Sequence, residues 1–417
     1  MATSASLANA DRALTVLLVG NYETDRQESM QRFANVLAAE LPSHNVTVEV
    51  CRPMPFFGRL RPSASGLGKW LGYIDKFLLF PVQLKRRTHN LARQCREKKG
   101  AFLVHICDHS NAIYTRYLRG VRHLVTCNDM LAIRSANGEI EQNATRWSGQ
   151  KLQAMILRGL NRAHEVACIS KATRGDLLRL SKLAESQVSV IYMGQNYGYR
   201  PLPPNEAMKV SWQKLRNGGE SVSRPAGFSF LLHVGGNQWY KNRIGVLQIY
   251  ATLREQLAVT RKSNIPKLVM IGPGWTSTMK DFIEQNPGLK DEVFSLQDVD
   301  NEALGALYSA AELLLFPSLE EGFGWPIIEA QACGCRVVTT GKAPMTEVGG
   351  ESPVYLDPTL LDAEEGLRRA AEAVRDVLGE DSSAREGRVG AGLRNAALFS
   401  TEKMIGEYAE LYRKLAG

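Results

Sequence analysis

Residues 313–340, LLLFPSLEEGFGWPIIEAQACGCRVVTT, read as one strand, loop, helix and strand unit. Leu313 to Phe316 has the length and apolar composition of a buried strand, and Pro317 ends it. Pro326 suits a first helical position, where its fixed φ is already helical and no N–H is needed, and Gly334 suits the C-terminal cap. The spacing predicts a helix of about two turns, with a second strand over Arg336 to Thr340. Glu321 falls in the loop and Glu329 in the first turns of the helix. Both can therefore face a ligand over the C-terminal end of a sheet, where open α/β folds bind them. Each alone also has an ordinary reading, since a first-turn acid complements the helix dipole and exposed charges are mostly just solvated.

At 417 residues the chain is long enough for two domains of about 200 residues each. With 44% hydrophobic and 23% charged residues it is neither disordered nor fibrous. The net charge of +8 attracts anions, such as nucleotide phosphates or lipid head groups, and no nucleic-acid motif accompanies it. The seven cysteines are scattered without zinc-type pairing and read as reduced thiols of a cytoplasmic protein. No stretch is apolar for long enough to span a bilayer. Oligomeric state is not legible.

Leu14 to Val19 is a fully apolar strand, and GNYETDRQE (20–28) leads from it into a helix over Ser29 to Ala39. Further strand-like runs lie at Val46 to Val50, Phe102 to Ile106, Leu124 to Cys127, Val166 to Ser170 and Val188 to Tyr192, separated by helix-forming stretches. This alternation predicts a parallel sheet with helices on both faces. Between Pro62 and Pro81, Trp70, Tyr73 and Phe77 repeat at helical spacing, with Leu71, Ile74 and Leu78 widening the face. Basic residues flank it from Arg59 to Arg87. Two readings stand: a helix packed on the sheet, or one lying in a membrane interface through residues 59–87. From Arg200 to Gly227 the composition turns polar and predicts an interdomain connection. Phe228 to Val234 opens a second set of strands, Gly235-Gly236 breaks it, and NQWYKN (237–242) leads into a helix over Arg243 to Leu257. Lys241 stands just before that helix, near exposed N–H groups that attract phosphate. Asp298 and Asp300 are not read as a metal site, because Asp300 is placed to cap the next helix. Met404, Ile405, Tyr408, Leu411 and Tyr412 mark a terminal amphipathic helix.

The ordered string Pro317-Ser318, Glu321-Gly322-Phe323-Gly324, Pro326, Glu329-Ala330, Ala332-Cys333-Gly334 and Val337-Val338 resembles that of the retaining glycosyltransferases of family 4. The resemblance implies the GT-B fold, an α/β class in which two Rossmann-like doubly wound domains face a central cleft. The expected boundaries are residues 1–198 for an acceptor-side domain, 199–226 for the linker, 227–396 for a nucleotide-sugar domain and 397–417 for a helix returning to the first. It implies transfer of a sugar from a nucleotide diphosphate donor to a hydroxyl of a glycan, lipid-linked or small-molecule acceptor, without a metal or other cofactor. Lys241 maps to the residue that holds the diphosphate, and Arg243 compensates for an arginine the family often has nearby. Glu321, with the amides of Phe323 and Gly324 beside Gly322, would hold the sugar, and Glu329 the ribose. Gly20 and Gly236 would let backbone approach the ligands. Where many members have a histidine near the reacting sugar this chain has Asn128; either Asn128 replaces it or His109, in CDHSN (107–111), approaches from the neighbouring strand. The expected setting is cytoplasmic or peripheral on the inner membrane face. A GT-B phosphorylase, an epimerase or hydrolase, and a non-catalytic sugar-nucleotide binder are the alternatives.

Overall fold

The computed structural model describes residues 13–25, 28–60, 66–215, 227–260, 265–361 and 363–417. The chain forms two compact units, one of residues 1–196 with 401–417 and one of residues 197–400. Each is built on six parallel strands.

In the first unit the strands are β1 (Leu14–Val19), β2 (Val46–Cys51), β3 (Ala101–Ile106), β4 (His123–Cys127), β5 (Glu165–Cys168) and β6 (Val188–Val190), ordered β2-β1-β3-β4-β5-β6. Val16 to Val19 are fully buried, as strands covered by helices on both faces must be. The order reverses between β1 and β3, so the loops leaving those two strands diverge and leave a crevice at their carboxyl ends. The second unit has β7 (Phe230–Val234), β8 (Lys267–Ile271), β9 (Val293–Leu296), β10 (Leu313–Phe316), β11 (Val337–Thr340) and β12 (Val354–Leu356), ordered β12-β11-β10-β7-β8-β9. Its reversal lies between β7 and β10. The predicted helix of the opening stretch is Trp325–Ala332, with Gly334 left-handed (φ 73°) just past it.

The terminal helix Thr401–Ala416 belongs to the first unit and buries the expected stripe. Its Tyr412 Oη lies 2.7 Å from His105 Nδ1, while His105 Nε2 lies 2.8 Å from Thr126 Oγ1, which meets Tyr408 Oη at 2.9 Å. Strands β3 and β4 are thus tied to the helix by a closed polar chain within the core. Where the chain leaves and re-enters this unit, Thr401 Oγ1 donates to Gln195 O at 2.5 Å.

Two expectations need correction. The polar stretch after Arg200 is not irregular throughout: Pro204–Leu215 is a helix whose Met208, Trp212 and Leu215 pack on the second unit's core. Their helical spacing is hidden by the polar residues around them; residues 216–226 of the expected linker lie outside the described residues. The stripe at Trp70 does not pack as one face either. The helix Gly66–Ile74 passes through a π-helical turn at Asp75–Leu79 before continuing as Phe80–Glu97. That turn inserts one residue and rotates the faces of the first helix relative to those of the second. Phe80, Leu84 and Leu91 are buried, whereas Trp70 is 71% and Leu78 65% exposed. Buried Asp75 accepts from Tyr22 Oη (2.8 Å) and from the Phe57 and Gly58 amides, which holds the loop carrying exposed Phe56 against the same helix. Arg61 lies outside the described residues. Among the described residues no helix is long and apolar enough to cross a membrane.

Candidate active site

In the second unit the loops after β7, β8 and β10 meet at the β7/β10 reversal. Leu319 N donates to Tyr240 O at 2.7 Å and Asn242 Nδ2 to Pro317 O at 3.2 Å, so the β7 and β10 loops are stitched together. Left-handed Asn242 (φ 49°) turns the chain sharply into the helix Arg243–Thr260. The stitching brings Lys241 Nζ to 2.6 Å from Glu321 Oε1, and Ser318 Oγ donates to the same oxygen at 2.6 Å. Both charged side chains are largely buried, at 16% and 7% exposure.

Arg243 is the more unusual group. It is 4% exposed, it donates from Nη1 to Asn237 Oδ1 and to Pro273 O (2.7 Å), and it lies over the Trp275 ring. No carboxylate is among these partners, and Nε and Nη2 are buried with no partner. Burial lowers its pKa, which records the cost of holding a charge away from water. His233, wholly buried beside Gly235, has its pKa pulled down to about 3 by burial, so it is neutral; Nδ1 bonds Leu315 O and Nε2 is unpartnered.

Gly324 has φ 106°, costly for any residue with a Cβ, and it opens the helix Trp325–Ala332 without a side-chain cap. Pro326 in its first turn has no N–H, and the Ile327 amide donates to Gly324 O at 3.0 Å. The Phe323 side chain is buried against Phe399, so only its backbone is positioned to meet a ligand. Glu329 is buried and accepts from Tyr308 Oη at 3.0 Å; burial, and then the Glu329 charge, keep that phenol protonated as the donor. A Cβ on Gly236 would meet only the flexible end of Gln238, whereas left-handed Gly272 lies where a Cβ would be 2.1 Å from Gly235 O. The close approach falls at the neighbouring pair rather than at Gly236.

In the first unit the β1/β3 reversal carries a buried polar cluster. Asp108 Oδ2 accepts from Asn21 Nδ2 (2.5 Å) and Ser110 Oγ (2.7 Å), and Oδ1 accepts from Asn128 Nδ2 at 3.3 Å. His109 Nδ1 accepts from the Asn128 amide at 3.3 Å, so the two rival residues are neighbours joined through Asp108. Burial by itself lowers the His109 pKa, but Cys127, Asp108 and Asp129 outweigh it and the shift is upward. The Cys127 thiol is held protonated by its contact with Cys168 and by burial, so the two carboxylates supply the charge that acts. Asn128 Oδ1 is buried without a partner. Gly20 sits at the end of β1, where a Cβ would make only ordinary contacts with Arg52 and Ala34, so packing within the chain does not demand glycine.

Asn21, Asp108 and His233 are not singled out by the sequence. The signal available for the first two is position alone: each lies two residues past an apolar strand at a reversal of the sheet. Asp300 caps its helix, accepting from Ala303 N at 2.8 Å, and all seven cysteines are free and buried.

Residues 30–196 match the family described as Glycosyltransferase Family 4, and residues 220–377 match Glycosyl transferases group 1. By family and fold this is a GT-B glycosyltransferase. The glycosyltransferase is 25% identical over 264 residues to O-antigen chain mannosyltransferase B of Escherichia coli, across 63% of this chain and 64% of the relative. Among solved structures it is similar to a glycosyltransferase from Rickettsia africae (TM-score 0.61, 16% identity, 96% and 98% of the two chains). It is also similar to sucrose-phosphate synthase of Thermosynechococcus elongatus (0.64, 20%, 96% and 99%). At those identities the structural likeness establishes the fold.

Proposed function

We propose that the protein transfers a sugar from a nucleotide diphosphate donor to a hydroxyl, retaining the anomeric configuration as in the family it resembles. The observation that carries the donor assignment is Arg243: a buried guanidinium with two unpartnered nitrogens, two residues from Lys241, answers to a diphosphate. Negative charge grows on the departing diphosphate while positive charge grows on the sugar ring. Lys241 and Arg243 stabilise the first from fixed positions and supply the charge that a metal would otherwise provide. Glu321, held by Lys241 and Ser318, keeps its remaining lone pairs for sugar hydroxyls, and Glu329 takes the ribose. In the first unit Asn128 Oδ1 and His109 are the groups offered to the acceptor or the reacting sugar. Acceptors range over glycans, lipid-linked saccharides and small molecules. A mannosyl donor is the first to try, after the O-antigen chain mannosyltransferase relative.

Turnover of UDP- and GDP-sugars, with the product anomer read by NMR, tests the reading. Product formed only with inorganic phosphate would make it a phosphorylase, donor consumed without acceptor an epimerase or hydrolase, and binding without turnover a sugar-nucleotide binder. The exposed patch of Phe56, Trp70, Tyr73 and Leu78, edged by Lys85 and Arg86, supports peripheral contact with an anionic membrane face. Flotation with anionic liposomes that does not weaken at high salt would sink that part.

A further inference from the structure

The first unit holds a cavity of 660 Å³ that the transfer reaction does not use. Five cations line it, Lys85, Arg116, Arg119, Arg158 and Arg162, and no acidic residue does. They come from three separate segments: the helix Phe80–Glu97, the turn after β3, and the end of the helix Trp147–Leu160. Three other arginines of this unit are neutralised: Arg87 by Glu49, Arg134 by Glu139 and Asp176, and Arg179 by the same two acids. Among the described residues the five lining cations have no acidic partner.

An ordinary structural role covers only part of this. Arginines in a last turn complement the helix dipole, and Arg162 Nη1 donates to Arg158 O at 3.4 Å. That accounts for the pair on one helix, but not for Lys85, Arg116 and Arg119 arriving opposite them. Like charges gathered round one space repel one another and raise the local potential for anions. The cavity also lies away from the candidate site. Arg119 precedes β4 by four residues and Arg162 precedes β5 by three, which is the amino-terminal edge of the sheet. Asn21, Asp108 and Asn128 lie past the carboxyl edge, a strand length of roughly 13 Å away at about 3.3 Å per residue.

We infer that this cavity is a second anion site that takes a phosphorylated group, a phosphomonoester or diphosphate, independently of the donor. Arginine forks match phosphate oxygens in pairs, and four of the five cations are arginine. Met155 lines the cavity and is 37% exposed; Trp147, on the same helix face with Lys151 Nζ 3.8 Å over its ring, is 69% exposed. The phosphate can therefore come from a lipid head group or from a soluble molecule, and the test separates the two.

Calorimetry of the full chain with inorganic pyrophosphate should show two classes of site. The triple variant Arg116→Ala/Arg158→Ala/Arg162→Ala should lose one class, and Arg243→Met the other. All three arginines of the triple variant are exposed, so its melting temperature and donor KM should stay near wild type. In a parallel arm, wild type and triple variant are compared on phosphatidylglycerol and on phosphatidylcholine vesicles. A tenfold or greater loss on the anionic vesicles alone supports the site with a lipid head group as source. Loss of the pyrophosphate class with vesicle binding unchanged supports it with a soluble source. A triple variant that keeps both pyrophosphate classes and its vesicle binding overturns the proposal, as does a wild type with a single class.

Discussion

Arg243 states a conflict between stability and use at the level of one side chain. A buried, unmatched cation costs folding free energy, and removing it relieves that cost while removing the anion's partner. Arg243→Met should raise donor KM at least tenfold, while the melting temperature holds or rises despite two lost hydrogen bonds. A donor KM left unchanged with a lowered melting temperature would reassign Arg243 to the core. Lys241→Ala should lower kcat/KM by about 1.5–3 kcal/mol, the worth of a charged hydrogen bond, and Glu329→Gln should raise the donor KM. His109 gives a pH signature. Its folded pKa is raised, so its contribution to stability is fully present below the unfolded value of about 6.5 and is lost as pH rises through the folded value. Denaturation midpoints across that range should lose this slope in His109→Gln. Lys241 and Glu321 are legible in the sequence because each stands in a loop beside a recognisable strand and helix. Asp108 is not, because its role comes from Asn21 and Asn128, which lie 87 and 20 residues away in sequence.

Elements convert these residues into positions. The helix Trp325–Ala332 begins where it does because Gly324 takes φ 106°. Gly324→Ala should cost about 1–2 kcal/mol and weaken donor binding through the displaced first turn; a normal donor KM would detach that helix start from the site. The polar chain through His105 ties β3 and β4 to the terminal helix. His105 is held near pKa 3 by burial, so between pH 6.5 and about 3 the unfolded chain binds a proton that the folded protein refuses. Stability should therefore fall as pH drops through that window, by about 1.4 kcal/mol per unit from this residue. Tyr412→Phe should destabilise by about 1–3 kcal/mol by leaving a ring nitrogen unpartnered. Strands and capped helices are plain in the sequence, since apolar runs and Pro or Gly punctuation are local signals. The π-helical turn is not, since an inserted residue changes which face is buried without changing composition.

At the scale of the whole molecule, the two parallel sheets were legible from the alternation of strand and helix. The strand order was not, because it depends on which neighbours pair across long gaps. Separate cores around Leu17 and Val104, and around Phe230 and Leu314, predict unfolding in two steps, only one of which a nucleotide sugar should shift upward. A donor that raises both transitions equally would show the units to be thermodynamically coupled. The bond from Thr401 to Gln195 has a mechanical meaning as well. With tethers attached at the two ends of the chain, tension runs through the first unit and bypasses residues 197–400, whose entry and exit are clasped side by side. In an optical trap the helix Thr401–Ala416 should peel from β3 before the second unit bears any load.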